Sequence, residues 1–119
     1  MIKSKRIIIE VDGGQHFREV WKHTTPEEQR TNDCFKMYRA IRNGYSIIRI
    51  CQEDIWKNTF GWKKQLQKTI TKADSSENLE IYYLSKDKSL YDKHKYHIKV
   101  LLDAFRLVCL LDDGMNNKK

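Results

Sequence analysis

The chain has 119 residues, of which 39% are hydrophobic and 33% are charged. A chain of this length can bury one hydrophobic core, so we expect a single domain over residues 1–119. No apolar run is long enough to span a bilayer, and the N-terminus lacks the apolar segment of an export signal. We therefore expect an intracellular protein, in the cytoplasm or nucleus, that has no membrane partner.

The cysteines indicate the redox compartment, and the charge distribution indicates the class of partner. Cys34, Cys51 and Cys109 are an odd number without zinc-site spacing, which predicts reduced core residues in a reducing compartment. The formal net charge is +7, and all of the excess lies in residues 1–72, which hold 15 Lys and Arg against 8 Asp and Glu. A basic half of this kind suits a phosphodiester polymer, but general solubility explains the charge equally well.

The first predicted element is a strand over residues 6–12. Three consecutive isoleucines favour a strand that is buried on both faces. Glu10 and Asp12 then lie on the same side of the strand, about 6 to 7 Å apart along the backbone. Since Mg²⁺ takes oxygen ligands and usually binds only one or two carboxylates, this strand end predicts a divalent-metal site.

A helix and a second strand follow. Thr25, Pro26 and Glu28 form the start signal of a helix that should end at Gly44. The residues from Tyr45 to Cys51 are predicted to be a strand, and a strand, helix and strand in this order make a right-handed crossover between parallel neighbours. The carboxyl ends of the two strands should therefore open at one edge, where α/β sheets bind ligands.

The rest of the chain continues the alternation of helices and strands. The patterns predict, in order, a turn or short helix over Gln52 to Asn58, a helix over Phe60 to Ala73, a strand over Leu79 to Leu84, and a helix over about Leu90 to Leu111, with a break near Lys95 left open. The core order is therefore β-α-β-α-β-α.

A known family shows a similar pattern. Glu-x-Asp-Gly-x-x-His from Glu10 to His16, a helix with Asp33-x-x-Lys36, and the strand from Tyr45 to Ile50 resemble the Vsr-like (very short patch repair) branch of the PD-(D/E)XK nucleases. The likeness covers about residues 7–72 and leaves out the C-terminal strand and helix, residues 79–111. It implies an α/β, restriction-endonuclease-like mixed sheet with flanking helices. The implied activity is metal-dependent hydrolysis of phosphodiester bonds in DNA, of the Vsr-like or homing-endonuclease-like kind.

The resemblance also implies roles for particular residues. In that superfamily the glutamate and the next backbone carbonyl help to hold the catalytic metal, which here indicates Glu10 and Val11, with Asp12 as a second carboxylate for Mg²⁺ or Mn²⁺. Lysine usually stands two residues after the glutamate. Asp12 occupies that position, so we expect Lys36 to supply the positive charge, held in place by Asp33.

Hydrolysis also requires an oriented water and a group that moves a proton. We expect Gln15 to orient the water and His16 to act as general acid or base, because histidine titrates near neutral pH. The cations expected to bind nucleic acid are Arg30, Lys36, Arg39, Lys57, Lys63 and Lys64.

The sequence departs from the family at its start. Family members carry a metal-binding aspartate on a strand that precedes the Glu-x-Asp strand and pairs with it as a hairpin. Only Met1 to Arg6 precede the apolar run here, and none of these residues is acidic. One expectation is an N-terminally shortened relative that lacks the usual hairpin strand and whose catalytic activity is impaired by the missing aspartate. The alternatives are that another segment or chain supplies the acid, or that the start codon is misplaced.

Two other classes of function remain open from the sequence. One is a catalytically inactive module that binds nucleic acid through its basic half. The other is an interaction module in which the C-terminal helix, over Ile98 to Leu111, forms a homodimer, although burial of that helix against the sheet is the simpler expectation. His94 and His97 share a helix face without a third ligand and are expected at or near the surface. The rings of Trp56, Phe60 and Trp62 alternate with lysines, as on surfaces that bind single-stranded nucleic acid, but burial of these rings in the core is the simpler expectation.

Overall fold

The computed structural model describes residues 6–14 and 25–116, except for the side chains of residues 105, 106 and 108–116. The elements in chain order are β1 (Arg6–Asp12), α1 (Pro26–Arg42), β2 (Tyr45–Cys51), α2 (Gln52–Trp56), α3 (Trp62–Ser75), β3 (Ile81–Leu84) and α4 (Asp92–Asn116). This is the predicted β-α-β-α-β-α order, and the turn or short helix predicted after β2 is the helix α2. The backbone of α4 is continuous through Lys95, where a break was left open.

The three strands form one parallel sheet in the order β1-β2-β3. β1 pairs with β2 in a register that runs from Arg6 opposite Tyr45 to Asp12 opposite Cys51, and β3 pairs with the other edge of β2. The predicted parallel crossover is therefore confirmed. The expected mixed sheet is not found in the described part of the chain, because all three of its strands run in the same direction.

The prediction that β1 is buried on both faces is wrong. Ile9 and Val11 are 44% and 48% exposed, whereas β2 is buried at every position after Tyr45. The reason is the strand order, since β2 occupies the centre of the sheet and β1 lies at an edge. Isoleucine content alone cannot distinguish a central strand from an edge strand.

Helices cover the sheet on both faces. On one face, Cys34 and Met37 of α1 pack with Ile47 of β2 and Ile98 of α4. On the other face, Ile48, Ile50 and Leu84 are buried, and the partly buried side chains packed against them include Leu66 and Ile70 of α3. The fold is therefore an α/β arrangement in which a small parallel sheet lies between α1 and α4 on one side and α3 on the other.

The predicted boundaries of α1 are confirmed. The hydroxyl oxygen of Thr25 accepts a hydrogen bond from the backbone N–H of Glu28 at 3.1 Å, and Pro26 is the first helical residue. At the other end Asn43 caps the helix and Gly44 has a φ of +89°, a conformation that favours glycine. These local signals fix where the chain enters and leaves the crossover.

The C-terminal helix and the cysteines agree in part with expectation. Cys34 and Cys51 are buried free thiols, as predicted for core cysteines, while the side chain of Cys109 lies outside the described part. Val100 and Leu107 are exposed on α4, so pairing of this helix with a second copy stays a prediction. Within residues 6–14 and 25–116, no helix is both long and apolar enough to cross a membrane.

Candidate functional site at the carboxyl ends of β1 and β2

A buried ion pair joins the two strands near their carboxyl ends. The guanidinium of Arg49 donates two hydrogen bonds to Asp12, from Nε to Oδ2 at 2.8 Å and from Nη2 to Oδ1 at 2.7 Å. Both side chains are almost fully buried, at 3% and 1% exposure. This two-point contact fixes the plane of the guanidinium as well as its position.

Asp33 of α1, Tyr91 in the turn before α4 and His94 of α4 complete this network. The hydroxyl of Tyr91 donates to Oδ2 of Asp12 at 2.9 Å, and Nη2 of Arg49 lies 3.3 Å from Oδ1 of Asp33. The second oxygen of Asp33 lies 3.2 Å from Nε2 of His94. We call these five buried residues, Asp12, Asp33, Arg49, Tyr91 and His94, the Arg49 network.

The electrostatics of the network favour a charged arginine and a protonated tyrosine. Burial by itself lowers the pKa of Arg49, but the hydrogen bond and charge of Asp12, together with the charge of Asp33, raise it above its usual value on balance. Burial, the charge of Asp12 and the hydrogen bond to Asp12 raise the pKa of Tyr91. The network therefore places the charged guanidinium of Arg49 between Asp12 and Asp33. The attraction between these groups offsets the cost of removing them from water.

The structure brings Glu10 and Lys36 to one place beside this network. Glu10 lies directly opposite Arg49 in the sheet register, and both line a cavity of about 80 Å³ together with Lys36 of α1. The side chains of Glu10 and Lys36 are exposed, whereas Arg49 is buried. The rest of the lining is apolar and consists of Ile8, Met37, Ala40 and Ile47. An exposed carboxylate, an exposed amine and a fixed guanidinium therefore share one small depression near the end of β1 with four apolar side chains.

The predicted support of Lys36 by Asp33 is not found. Asp33 lies on the face of α1 that packs against α4, where it contacts Arg49, His94 and the side-chain amide of Gln29. Lys36 forms no ion pair with a described residue. Asp33 and Lys36 lie on one helix, as predicted, but they have different surroundings. Asp33 is buried together with Cys34, whereas Lys36 is exposed.

The other predicted site residues are distributed as follows. Gln15 and His16 lie outside the described residues. Among the predicted nucleic-acid-binding cations, Arg30, Lys36 and Arg39 are on α1 and Lys63 and Lys64 are on α3, on opposite faces of the sheet, while Lys57 follows α2 and forms an ion pair with Glu53 at 2.7 Å. The described cations therefore do not form one continuous patch on a single face.

One exposed carboxylate is available to a metal ion near the carboxyl end of β1. Within the described ranges, no three His, Cys, Asp or Glu side chains are grouped closely enough to hold a metal ion. Asp12 already accepts three hydrogen bonds from Arg49 and Tyr91, out of about four lone-pair positions on a carboxylate. Glu10 is the exposed carboxylate at this strand end, and the backbone of Val11 follows it directly.

Sequence reasoning missed three members of the network, Arg49, Tyr91 and His94. A signal for Arg49 was present, because an arginine inside the Ile-Ile-Arg-Ile run of a central strand needs a buried carboxylate partner. His94 was expected at or near the surface and is in fact 1% exposed. Its burial follows from the packing of α4 on α1, which brings it to Asp33, 61 residues earlier in the chain.

The expectation for the aromatic cluster is correct in part. Phe60 and Trp62 pack against the core on the α3 face of the sheet. Trp56, in contrast, is 76% exposed at the end of α2, so it contributes little to the core.

Comparison of the chain with known protein families, with curated proteins and with solved structures gives no significant match.

Proposed function

We propose that this chain acts on DNA as a metal-dependent endonuclease, in which Glu10 holds Mg²⁺ or Mn²⁺. The observation that carries this proposal is the common cavity of Glu10, Lys36 and Arg49 near the carboxyl end of β1. Phosphodiester hydrolysis needs a carboxylate for a metal and fixed positive charge for the phosphate, and this cavity offers both. The excess of positive charge in residues 1–72 supports a polyanionic substrate.

The residues at this strand end fit a magnesium ion of the usual kind. Mg²⁺ commonly binds one or two carboxylates and retains water and substrate oxygens as its other ligands. Glu10 and the carbonyl of Val11 would hold it, and Asp12 would serve mainly to orient Arg49, because its oxygens already accept three hydrogen bonds. When bound, the metal supplies Lewis-acid stabilisation of phosphoryl oxygens.

The chain's own residues then divide the remaining tasks. The exposed amine of Lys36 is free to approach a phosphate oxygen, since no described residue forms an ion pair with it. Arg49 cannot move in the same way, because Asp12 fixes its guanidinium plane at two points, so it contributes a fixed positive field behind the cavity. Gln15 and His16 keep their predicted roles in orienting water and moving a proton.

The edge position of β1 supports the likeness to a nuclease in one more way. In the family that the sequence resembles, a strand carrying a further metal-binding aspartate pairs with the counterpart of β1. In the described residues β1 pairs only with β2, so its outer edge is where such a strand would add. An acid supplied there would lie on the side of β1 away from Arg49.

The test is cleavage of plasmid and of duplex and single-stranded oligonucleotides in Mg²⁺ or Mn²⁺. We compare the unaltered chain with Glu10→Ala, with Lys36→Ala, and with Glu27→Ala, which removes an exposed carboxylate from the first turn of α1, outside the cavity lining. We expect cleavage to be lost in Glu10→Ala, reduced about 100-fold in Lys36→Ala, and retained in Glu27→Ala. Equal cleavage by Glu10→Ala and the unaltered chain would exclude this site.

A second candidate function is a catalytically inactive module that binds nucleic acid. It is favoured by the excess of positive charge in residues 1–72, which attracts a polyanion without a metal. This candidate predicts no cleavage by any of the variants, together with DNA binding that falls steeply with salt and does not respond to Mg²⁺. Absence of DNA binding at low salt would exclude both candidates and leave an interaction module.

A further inference from the structure

Trp56 is the most exposed of the large hydrophobic residues that the structure describes. It ends α2, and 76% of its surface is open to solvent. The core on this side does not need it, because Phe60 and Trp62 already pack against Ile48, Ile50 and Leu84. A large exposed ring that packing does not explain suggests a contact with another molecule.

The ring lies at a cavity of about 190 Å³ at the carboxyl edge of the sheet. The lining combines residues that follow β1 with residues at and after the end of β2. They are Asp12, Gly13, Gly14, Cys51, Gln52 and Glu53, together with Trp56 and Leu90. Because Asp12 is only two residues beyond Glu10 on the same side of β1, the cavity borders the proposed cleavage site.

We propose that this cavity receives one unpaired nucleobase, which stacks on Trp56. This inference rests on the proposed function and names its substrate class, a DNA strand with at least one base outside a duplex. A cavity of about 190 Å³ has room for a single planar ring system. Stacking on an aromatic side chain is sequence-tolerant, since every base presents a flat face.

Polar groups around the ring suit the edge of a base. Gln52 offers an amide that can both donate and accept hydrogen bonds, Glu53 offers a carboxylate that can accept them, and Gly13 and Gly14 complete this part of the lining. Enzymes that act beside an extruded base read it in this way, through hydrogen bonds to its edge and stacking on its face.

Two lysines lie in a second cavity beside the first, together with acidic side chains. This cavity of about 440 Å³ shares Cys51, Glu53 and Leu90 with the first and is lined further by Asp54, Lys57, Thr59, Lys86 and Asp87. Lys57 forms an ion pair with Glu53 at 2.7 Å, so the charge of this second cavity does not favour a phosphate. We therefore expect the ring to dominate binding and the lysines to contribute little.

The test is equilibrium binding of a fluorescently labelled poly-dT oligonucleotide, in EDTA so that no cleavage interferes. We compare the unaltered chain with Trp56→Ala, Trp56→Phe and Tyr96→Ala. Tyr96 is an equally exposed aromatic residue, on α4, and does not line this cavity. We expect Trp56→Ala to weaken binding about 10-fold or more, Trp56→Phe to stay within about threefold, and Tyr96→Ala to change nothing.

A duplex of the same length separates stacking from general charge attraction. We expect Trp56→Ala to change duplex affinity by less than about threefold, because paired bases do not reach the cavity. The addition of poly-dT should also quench the tryptophan emission of the unaltered chain and quench Trp56→Phe less. Equal affinity of Trp56→Ala and the unaltered chain for poly-dT, or equal losses for poly-dT and duplex, would overturn the proposal.

Glu10→Ala separates this inference from the proposed function. If it binds poly-dT normally but no protein cleaves DNA, the base-binding cavity stands without the nuclease. If the unaltered chain cleaves duplex DNA and Trp56→Ala cleaves it equally while binding poly-dT normally, the nuclease stands without the base-binding cavity.

Discussion

Arg49 and Asp12 hold the carboxyl ends of β2 and β1 together through two hydrogen bonds of 2.8 and 2.7 Å. Their Cα atoms are not register partners, since Arg49 lies opposite Glu10. The guanidinium therefore extends forward along the sheet to the residue at the end of β1. Asp12 lies inward for this reason, while Glu10, on the same side of the strand, remains exposed.

The first prediction concerns the stability of this ion pair. Asp12→Asn removes the charge opposite a guanidinium that is 3% exposed. We expect it to lower the free energy of unfolding by roughly 3 kcal/mol, because breaking one partner of a buried pair leaves an uncompensated buried charge. Urea denaturation measures this as a lower midpoint at an unchanged slope.

Glu10→Gln is the matched control, since it makes the same chemical change at an exposed position two residues away. We expect it to stay within about 0.5 kcal/mol of the unaltered chain. Equal stabilities of Asp12→Asn and Glu10→Gln would show that the Arg49 network does not stabilise the fold.

The second prediction is a pH dependence that originates at Cys34. Burial and the nearby charge of Asp33 raise the pKa of this thiol from 9.0 to about 11, despite the opposing effect of Arg49 and Arg30. The folded chain therefore retains the proton at pH values where the unfolded chain releases it. The resulting stability is fully present below about pH 9 and is lost as the pH rises through about 11.

Comparison with Cys34→Ala measures this contribution, because Cys51, Tyr83 and Tyr91, whose pKa values are also raised, are present in both proteins. The difference includes the part of the Tyr83 pKa shift that the charge of Cys34 causes. Between about pH 8 and about pH 10.5, we expect the unaltered chain to lose roughly 2 kcal/mol more than Cys34→Ala. The measurement is urea denaturation at the two pH values. Parallel losses in the two proteins would assign the alkaline sensitivity to Cys51 and the tyrosines.

The elements of the fold followed from local signals in the sequence. Each of these signals depends on a few neighbouring residues. The helix cap at Thr25, the helix end at Gly44 and the strand from Tyr45 are all found where they were predicted. The parallel pairing of β1 and β2 followed from the strand-helix-strand order, in which the helix returns the chain to the side where the first strand began.

The site was less predictable because its contacts are long-range. Asp33 meets His94 across 61 residues, and Asp12 meets Tyr91 across 79. No periodicity or spacing encodes such pairs, since they depend on how α4 packs on α1. Asp33 and Lys36 show the same difficulty. Their spacing predicted a contact, but Asp33 is buried against Arg49 and His94 while Lys36 is exposed.

The third prediction concerns Asp54, which connects α2 to the turn before α4. Its Oδ2 accepts the backbone N–H of Lys86 at 2.9 Å, and its Oδ1 accepts the hydroxyl of Thr59 at 3.0 Å. We expect Asp54→Ala to lower the free energy of unfolding by about 2 kcal/mol, because the change removes two hydrogen bonds to a buried carboxylate. Hydrogen exchange at the Lys86 amide should accelerate more than exchange in the centre of β2.

Asp74→Ala is the control for this change, because Asp74 is an exposed aspartate on α3. We expect it to leave both the stability and the Lys86 exchange rate unchanged, within about 0.5 kcal/mol. If Asp54→Ala resembles Asp74→Ala in both measurements, the turn that carries Lys86 is held by other contacts.

The fourth prediction concerns the start of α1. Thr25→Ala removes the hydroxyl oxygen that accepts the backbone N–H of Glu28 at 3.1 Å. We expect a loss of about 1 kcal/mol, the usual contribution of an N-cap side chain, because one amide at the helix start loses its acceptor. Thermal and urea unfolding, followed by circular dichroism, measure the change.

Thr71→Ala provides the comparison for Thr25→Ala, since it removes the same side chain inside a helix. Its hydroxyl donates to the backbone carbonyl of Gln67 at 3.1 Å in α3, an exposed bond that caps no helix end. Alanine has the higher helix propensity, so we expect Thr71→Ala to be neutral or stabilising by a few tenths of a kcal/mol. Similar losses in both variants would mean that the effect at Thr25 is not a capping effect.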